Sequence, residues 1–97
     1  MRVVSRKKLV DYYSNHSTSK VALEDWYKKV NKAKWINFNQ LKNDFLSADY
    51  VGNNRVVFNI KGNKFRLIAI IIYISQKVYV RWIGTHAAYD KINAKEL

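Results

Sequence analysis

Residues 52–90 read GNNRVVFNIKGNKFRLIAIIIYISQKVYVRWIGTHAAYD, and the fold is decided there. From Arg55 onward the apolar residues follow a period of two, the spacing of strands. Gly62-Asn63 is a two-residue hairpin signal with glycine in the first loop position, as a type II′ turn prefers. That turn sets Ile60 opposite Phe65, Asn59 opposite Arg66, Phe58 opposite Leu67 and Arg55 opposite Ile70. A second turn at Ser75-Gln76 sets Tyr73 opposite Val78, Ile70 opposite Arg81 and Arg66 opposite Thr85. Three antiparallel strands result, followed by a short C-terminal helix.

The two registers sort the sheet into faces. One face takes Val56, Phe58, Ile60, Phe65, Leu67, Ala69, Ile71, Tyr73, Val78, Val80 and Trp82, with no charge, so it must be covered. The other takes Arg55, Val57, Asn59, Arg66, Ile68, Ile70, Ile72, Tyr79, Arg81, Ile83 and Thr85. It mixes arginines with apolar floor, as a partly open concave surface would. A one-residue slip in either turn would reverse a strand's assignment.

The cover comes from upstream. Met1–Val4 reads as an edge strand. Ser5 can cap a helix from Arg6 to about Asn15 with Leu9, Tyr12 and Tyr13 on one stripe. After the polar turn 15–19, a second helix from Lys20 to about Ala33 carries Leu23, Trp26, Tyr27 and Val30 on one face. Its Glu24–Lys28 and Asp25–Lys29 spacings suit i, i+4 ion pairs. Residues 35–38 form an irregular connection, and Asn39 can cap a short third helix with Leu41 and Phe45. The predicted class is α+β: a small antiparallel sheet, helices on one face, and one domain spanning residues 1–97.

Composition bounds the function. Eighteen Lys and Arg against seven Asp and Glu give a net charge of +11. Residues 1–49 carry ten bases and five acids, and residues 50–97 carry eight and two, so the charge is spread through the fold. Such a field attracts polyanions: nucleic acid, a membrane surface or an acidic protein. Cysteine is absent, which excludes disulfides and thiolate metal sites and fits a reducing compartment. No secretory signal and no apolar run of membrane-spanning length is present, and the expected location is the cytoplasm. Phosphate-binding GxxxxGK[ST] and GxGxxG loops are missing, and two histidines far apart in sequence do not make a metal site.

Thr85 can cap a last helix from His86 to about Lys91, on which His86, Tyr89 and Asp90 share one face at i, i+3 and i+4. The register puts Thr85 beside Arg66, so His86 emerges next to the arginine-bearing face, with Arg81 further along it. These residue types can cut RNA without a metal. A base takes the 2′-hydroxyl proton, cations stabilise the crowded phosphorane, and an acid protonates the leaving 5′-oxygen. Histidine titrates near neutrality, arginine forks onto phosphate, and tyrosine can donate a proton or stack on a base. Catalytic candidates are therefore His86, Arg66, Arg81, Tyr89 and Asp90. Arg55, Asn59, Lys61, Lys64 and Lys91 are candidate RNA contacts. Each has a plain alternative: solvated strand arginines, a histidine at a helix start, a tyrosine packed at the helix end, lysines flanking a turn. His16 lies in a polar loop, and Trp26 and Trp35 suit packing better than base stacking.

The segments VGNNRVVFNIKGNKFRLI and VYVRWIGTHAAYDKI, with WYKKVNKAKW and LKNDF upstream, resemble the HigB family of bacterial type II toxins, a branch of the RelE/ParE superfamily. The resemblance runs from about Arg2 to Ile92. It implies a RelE-like fold and an mRNA interferase that cuts translated mRNA, typically in the ribosomal A site, with no metal or other cofactor. It implies a HigA-like helix-turn-helix antitoxin as partner, through which operator DNA would be engaged, and no membrane. By position it places sheet-borne bases at Arg66 and Arg81 with Lys64 near them, and a terminal polar cluster at His86, Tyr89 and Asp90. Which group is base and which acid does not transfer. Two other classes stay open: a ParE-like gyrase poison, and a non-catalytic RNA- or ribosome-binding module.

Overall fold

A computed structural model describes residues 1–97. In chain order the elements are β1 (Arg2–Val3), α1 (Arg6–Asn15), α2 (Lys20–Lys32), α3 (Phe38–Asp44), β2 (Asp49–Gly52), β3 (Arg55–Ile60), β4 (Phe65–Ile72), β5 (Lys77–Thr85) and α4 (His86–Tyr89). Short 3₁₀ turns at Ser17–Ser19 and Ala94–Glu96 complete the chain. The five strands form one sheet in the order β1-β5-β4-β3-β2. All neighbours are antiparallel except β1, which runs parallel to β5 through Arg2 and Val3. No helix is long and apolar enough to cross a membrane.

The first hairpin forms as its sequence predicts. Ile60 pairs with Phe65, Asn59 with Arg66, Phe58 with Leu67 and Arg55 with Ile70. Gly62 takes the positive φ, +64°, that the first central position of such a turn demands, and Lys61 beside it is also left-handed at φ 54°. The β2–β3 connection places Gly52, Asn53 and Asn54 all at positive φ, so β2 adds a fourth antiparallel strand ahead of the three expected.

The second hairpin departs from the predicted register. Ile72 pairs with Lys77, Ile71 with Val78, Ile70 with Tyr79 and Ala69 with Val80. The turn is therefore residues 73–76, four rather than two. The shift is two residues, which keeps every side chain on its expected face. Beyond Ala69 the register slips once more: Ile68 pairs with Trp82, Leu67 with Ile83, Arg66 with Gly84 and Phe65 with Thr85. Arg81 is the extra residue of this β-bulge. One unpaired residue reverses the alternation downstream, so Trp82 leaves the helix-side face and Ile83 joins it. Arg66 faces Gly84, not Thr85.

The helix-side core gathers Leu9, Leu23, Trp26, Val30, Leu41, Val56, Phe58, Leu67, Ala69, Ile71, Val78 and Val80, with Ile83 packed against it. Phe58 sits at its centre, edge-on to Trp26 (5.4 Å) and Phe45 (5.0 Å). Trp35 is buried and donates from Nε1 to Asp44 Oδ2 at 2.8 Å, so Trp26 and Trp35 both pack. Several local expectations change. Ser5 makes no side-chain cap, and Asn37 rather than Asn39 caps α3, accepting from the Gln40 N–H at 3.0 Å. Glu24 turns away from Lys28 to accept from the Tyr13 hydroxyl at 2.5 Å and Arg6 at 3.5 Å. Lys29 donates to the Asp44 carbonyl instead of pairing with Asp25.

The opposite face is less open than predicted. Val57, Ile68 and Ala94 form a second small core, with Val51, Trp82, Tyr89, Ile92 and Leu97 packed around it. The C-terminal residues therefore fold back across part of the arginine-bearing face. That tail carries Ile92, Ala94 and Leu97 among polar residues, enough apolar surface to cover Val57 and Ile68.

Candidate active site

β5 ends at Thr85, whose hydroxyl accepts from the Ala88 N–H at 3.1 Å and starts α4 as expected. The helix is one turn, His86–Tyr89, with further turn bonds through Lys91. The His86 N–H donates to the Lys64 carbonyl at 3.1 Å, which ties the start of α4 to the first hairpin turn. His86 Nδ1 lies 3.3 Å from Asp90 Oδ2, and both side chains are about half exposed. A carboxylate against Nδ1 favours a proton on that nitrogen, leaving Nε2 as the acceptor of the neutral ring.

Arg66 approaches the same turn from β4. Its Nη1 donates to Asn63 Oδ1 at 3.1 Å, and its guanidinium lies 5.8 Å from the Tyr89 ring centroid. Tyr89 in turn lies 6.2 Å from the Trp82 ring. The chain thus brings together Arg66, Tyr89, His86, Asp90 and the Lys64 backbone at one end of the sheet. Asn59, paired with Arg66 across the strands, borders the group and also lines a shallow groove with Trp26 and Lys29.

Other predicted residues lie apart. Arg81 is the unpaired bulge residue, since Ile70 pairs with Tyr79 instead, and its Nε donates to the Leu97 carbonyl at 2.8 Å. Lys61 reaches the helix side and donates to the Thr18 carbonyl at 3.1 Å. Arg55 pairs with Ile70 four residues from Asn59, about 13 Å along the strand. Its Nη1 donates to the Asn53 carbonyl, while Nε is buried without a partner. Lys91 is exposed just beyond α4. Nowhere do three His, Asp or Glu side chains gather as metal ligands would.

Two supporting residues escaped the sequence. Asn63 anchors Arg66, although the turn motif marked only its backbone role. Trp82 backs Tyr89, and its placement depends on the Arg81 bulge. Gly84 makes room for it: a Cβ there would stand 2.4 Å from the indole.

Comparison with known proteins identifies the family. Residues 19–92 match the HigB toxins, described as the RelE-like toxic component of a toxin-antitoxin system. The mRNA interferase toxin HigB of Escherichia coli K12 is 34% identical over 97% of this chain and 92% of its own length. The mRNA interferase HigB of Shigella flexneri shows the same identity and coverage. Another from Escherichia coli O6:H1 is 23% identical over 95% of this chain and 91% of its own. With most of its length matched in both ways and a RelE-like α+β sheet beneath, the chain belongs to the HigB toxin family.

Proposed function

We propose that this chain, as a single toxin domain, cuts mRNA at the sheet end where His86, Asp90, Arg66 and Tyr89 converge. The class of activity follows the family: the toxin of a toxin–antitoxin pair, acting as an mRNA interferase, an endoribonuclease. The observation that carries the site is the His86–Asp90 contact at 3.3 Å beside a cation stacked on Tyr89.

Asp90 orients His86 through Nδ1, and Nε2 moves the proton at a reacting oxygen. The 2′-hydroxyl loses its proton and attacks the adjacent phosphorus. The P–O5′ bond breaks, leaving a 2′,3′-cyclic phosphate and a 5′-hydroxyl once the leaving oxygen is protonated. Arg66 presents forked donors to the phosphorane oxygens, worth most where charge develops. Tyr89 stacks on a base or supplies a proton from its hydroxyl. Arg81, held apart from the cluster by its Leu97 contact, joins phosphate binding through the guanidinium nitrogens that contact leaves free. Lys64, Lys91, Asn59 and, more remotely, Arg55 and Lys61 supply the cationic and polar surround. The +11 charge suits such a polyanion, and binding should weaken steeply with salt.

The partner is a HigA-like helix-turn-helix antitoxin, with operator DNA engaged only through it. The substrate is mRNA on the ribosome, in the cytoplasm. The test induces wild type, His86→Ala and Arg66→Ala, maps mRNA 5′ ends and measures plasmid supercoiling. New 5′ ends in wild type that vanish in His86→Ala support the site. Intact mRNA with blocked gyrase overturns the nuclease assignment, and undiminished cleavage in both variants overturns the residue roles.

A further inference from the structure

Outside the His86 cluster, a groove of about 340 Å³ opens between α1 and the bulged part of β5. β1 pairs only with Lys77 and Val78, so β5 has no strand partner on its outer side along this stretch. Tyr12 and His16 form one wall, with rings stacked at 4.1 Å and nearly parallel at 6°. His16 Nδ1 lies 3.1 Å from the Tyr12 carbonyl, which fixes the proton on Nδ1 and holds the ring in place. Burial raises the Tyr12 hydroxyl above its ordinary range, so that ring stays neutral. Trp82 and Arg81 form the opposite wall, and Lys8 and Asn15 stand at the rim. The one carboxylate present, Asp11, is engaged 3.7 Å from Lys7.

We infer that this groove is a nucleotide subsite, taking one base of the RNA strand against the Tyr12–His16 stack and its phosphate between Lys8 and Arg81. Four features carry this. The pair, half-buried at Tyr12 and exposed at His16, offers a face on which a base can continue the stack and so be held against Asn15. Cations flank it on two elements. Asn15 offers a donor and an acceptor to a base edge. The groove is also placed beside the site. Tyr12 packs edge-on against Phe65 at 6.0 Å, Phe65 pairs with Thr85, and His86 follows. From Ile83 in the groove to His86 is three residues, about 10 Å of extended chain. Nucleotides near the scissile bond can therefore fill the groove while the phosphate reaches His86. The bulge at Arg81 makes the arrangement, since it turns Arg81 out of the ladder at the groove wall.

This inference rests on the nuclease assignment for its setting, and the experiment separates the two. Ribosomes carrying mRNAs with randomised A-site codons are treated with wild type, His16→Ala, His16→Phe and Lys8→Ala, and 5′ ends and rates are measured. His16→Ala is expected to raise KM about tenfold, with a much smaller fall in kcat, and to flatten base preference at one position next to the cut. His16→Phe, which keeps the stacking surface, should restore most of the affinity, and Lys8→Ala should raise KM without altering base preference. Wild-type KM and base preference in His16→Ala overturn the subsite. In parallel, wild-type protein is titrated with 2′-O-methyl RNA pentamers that cannot be cut, and amide NMR shifts are followed. Shifts at Lys8, Asn15 and His16 support the groove even if no mRNA is cleaved, in which case only the nuclease assignment falls. Binding that leaves those amides still overturns the subsite.

Discussion

The indole of Trp82 lies across Gly84, so close that a Cβ on Gly84 would stand 2.4 Å from it. This contact seats Trp82 against Tyr89, and Tyr89 lies under the Arg66 guanidinium. Glycine opposite Arg66 is therefore a packing requirement of the site. Gly84→Ala must push the indole aside, and overpacking of this kind costs about 1–3 kcal/mol. We expect a lower urea midpoint and reduced mRNA cleavage in Gly84→Ala. An unchanged midpoint would show that Trp82 moves freely.

His86→Ala removes the proposed proton-transfer group and should lower cleavage about 10²–10⁴-fold with the urea midpoint little changed, since the side chain is half exposed. Asp90→Asn keeps the ring but loses the carboxylate that orients it, so a smaller loss is expected. Single-turnover rates on programmed ribosomes measure both. A larger defect in Asp90→Asn than in His86→Ala would reverse their roles.

Glu24 gives the fold a pH dependence at both ends. The Tyr13 hydroxyl, bonded to it at 2.5 Å, is the main cause holding the Glu24 carboxyl below its ordinary 4.5, and the Arg6 charge adds to this. A depressed folded-state pKa stabilises above the unfolded value and is lost as pH falls. The same bond raises Tyr13 above its ordinary 10.0, and that contribution is present below pH 10 and lost above it. Wild type should thus lose stability below pH 4.5 and above pH 10. Urea midpoints against pH should show Glu24→Gln without the acid component, and Tyr13→Phe without the alkaline one and with only the part of the acid one that Arg6 supplies. An acid limb as steep in Glu24→Gln as in wild type would assign it to other carboxylates.

Phe58→Ala empties the space between Trp26 and Phe45. Phe58 is 1% exposed, so a loss of about 3–5 kcal/mol is expected. That is a large share of the stability of a chain this size. Denaturant unfolding measures it, and a loss near 1 kcal/mol would mean that the helices close over the gap.

The first hairpin was legible because one turn motif and one alternation agreed: Gly62-Asn63 and the run from Arg55 to Leu67 admit a single register. The helices were legible from their apolar stripes, and the terminal cap from Thr85. The second hairpin was not. Ile68–Ile74 is apolar throughout, so alternation there gives no register, and Ser75-Gln76 is a weak turn signal. Caps and ion pairs also misled where a tertiary partner outcompeted a local one, as Tyr13 does for Glu24.

By itself the sequence determined the α+β class, the charge that seeks a polyanion, the helix-covered face from Val56 to Leu67, and a terminal cluster of His86, Tyr89 and Asp90. These depend on periods, spacings and side-chain chemistry, which are local. Only the tertiary structure decided which residues meet that cluster. The single extra residue at Arg81 reverses the strand beyond it and swaps Trp82 with Ile83. The tail folds over Val57 and Ile68 and binds Arg81. A bulge and a docked tail are settled by the packing of segments distant in the chain, where one residue of slip changes which face meets water and no local pattern records the choice.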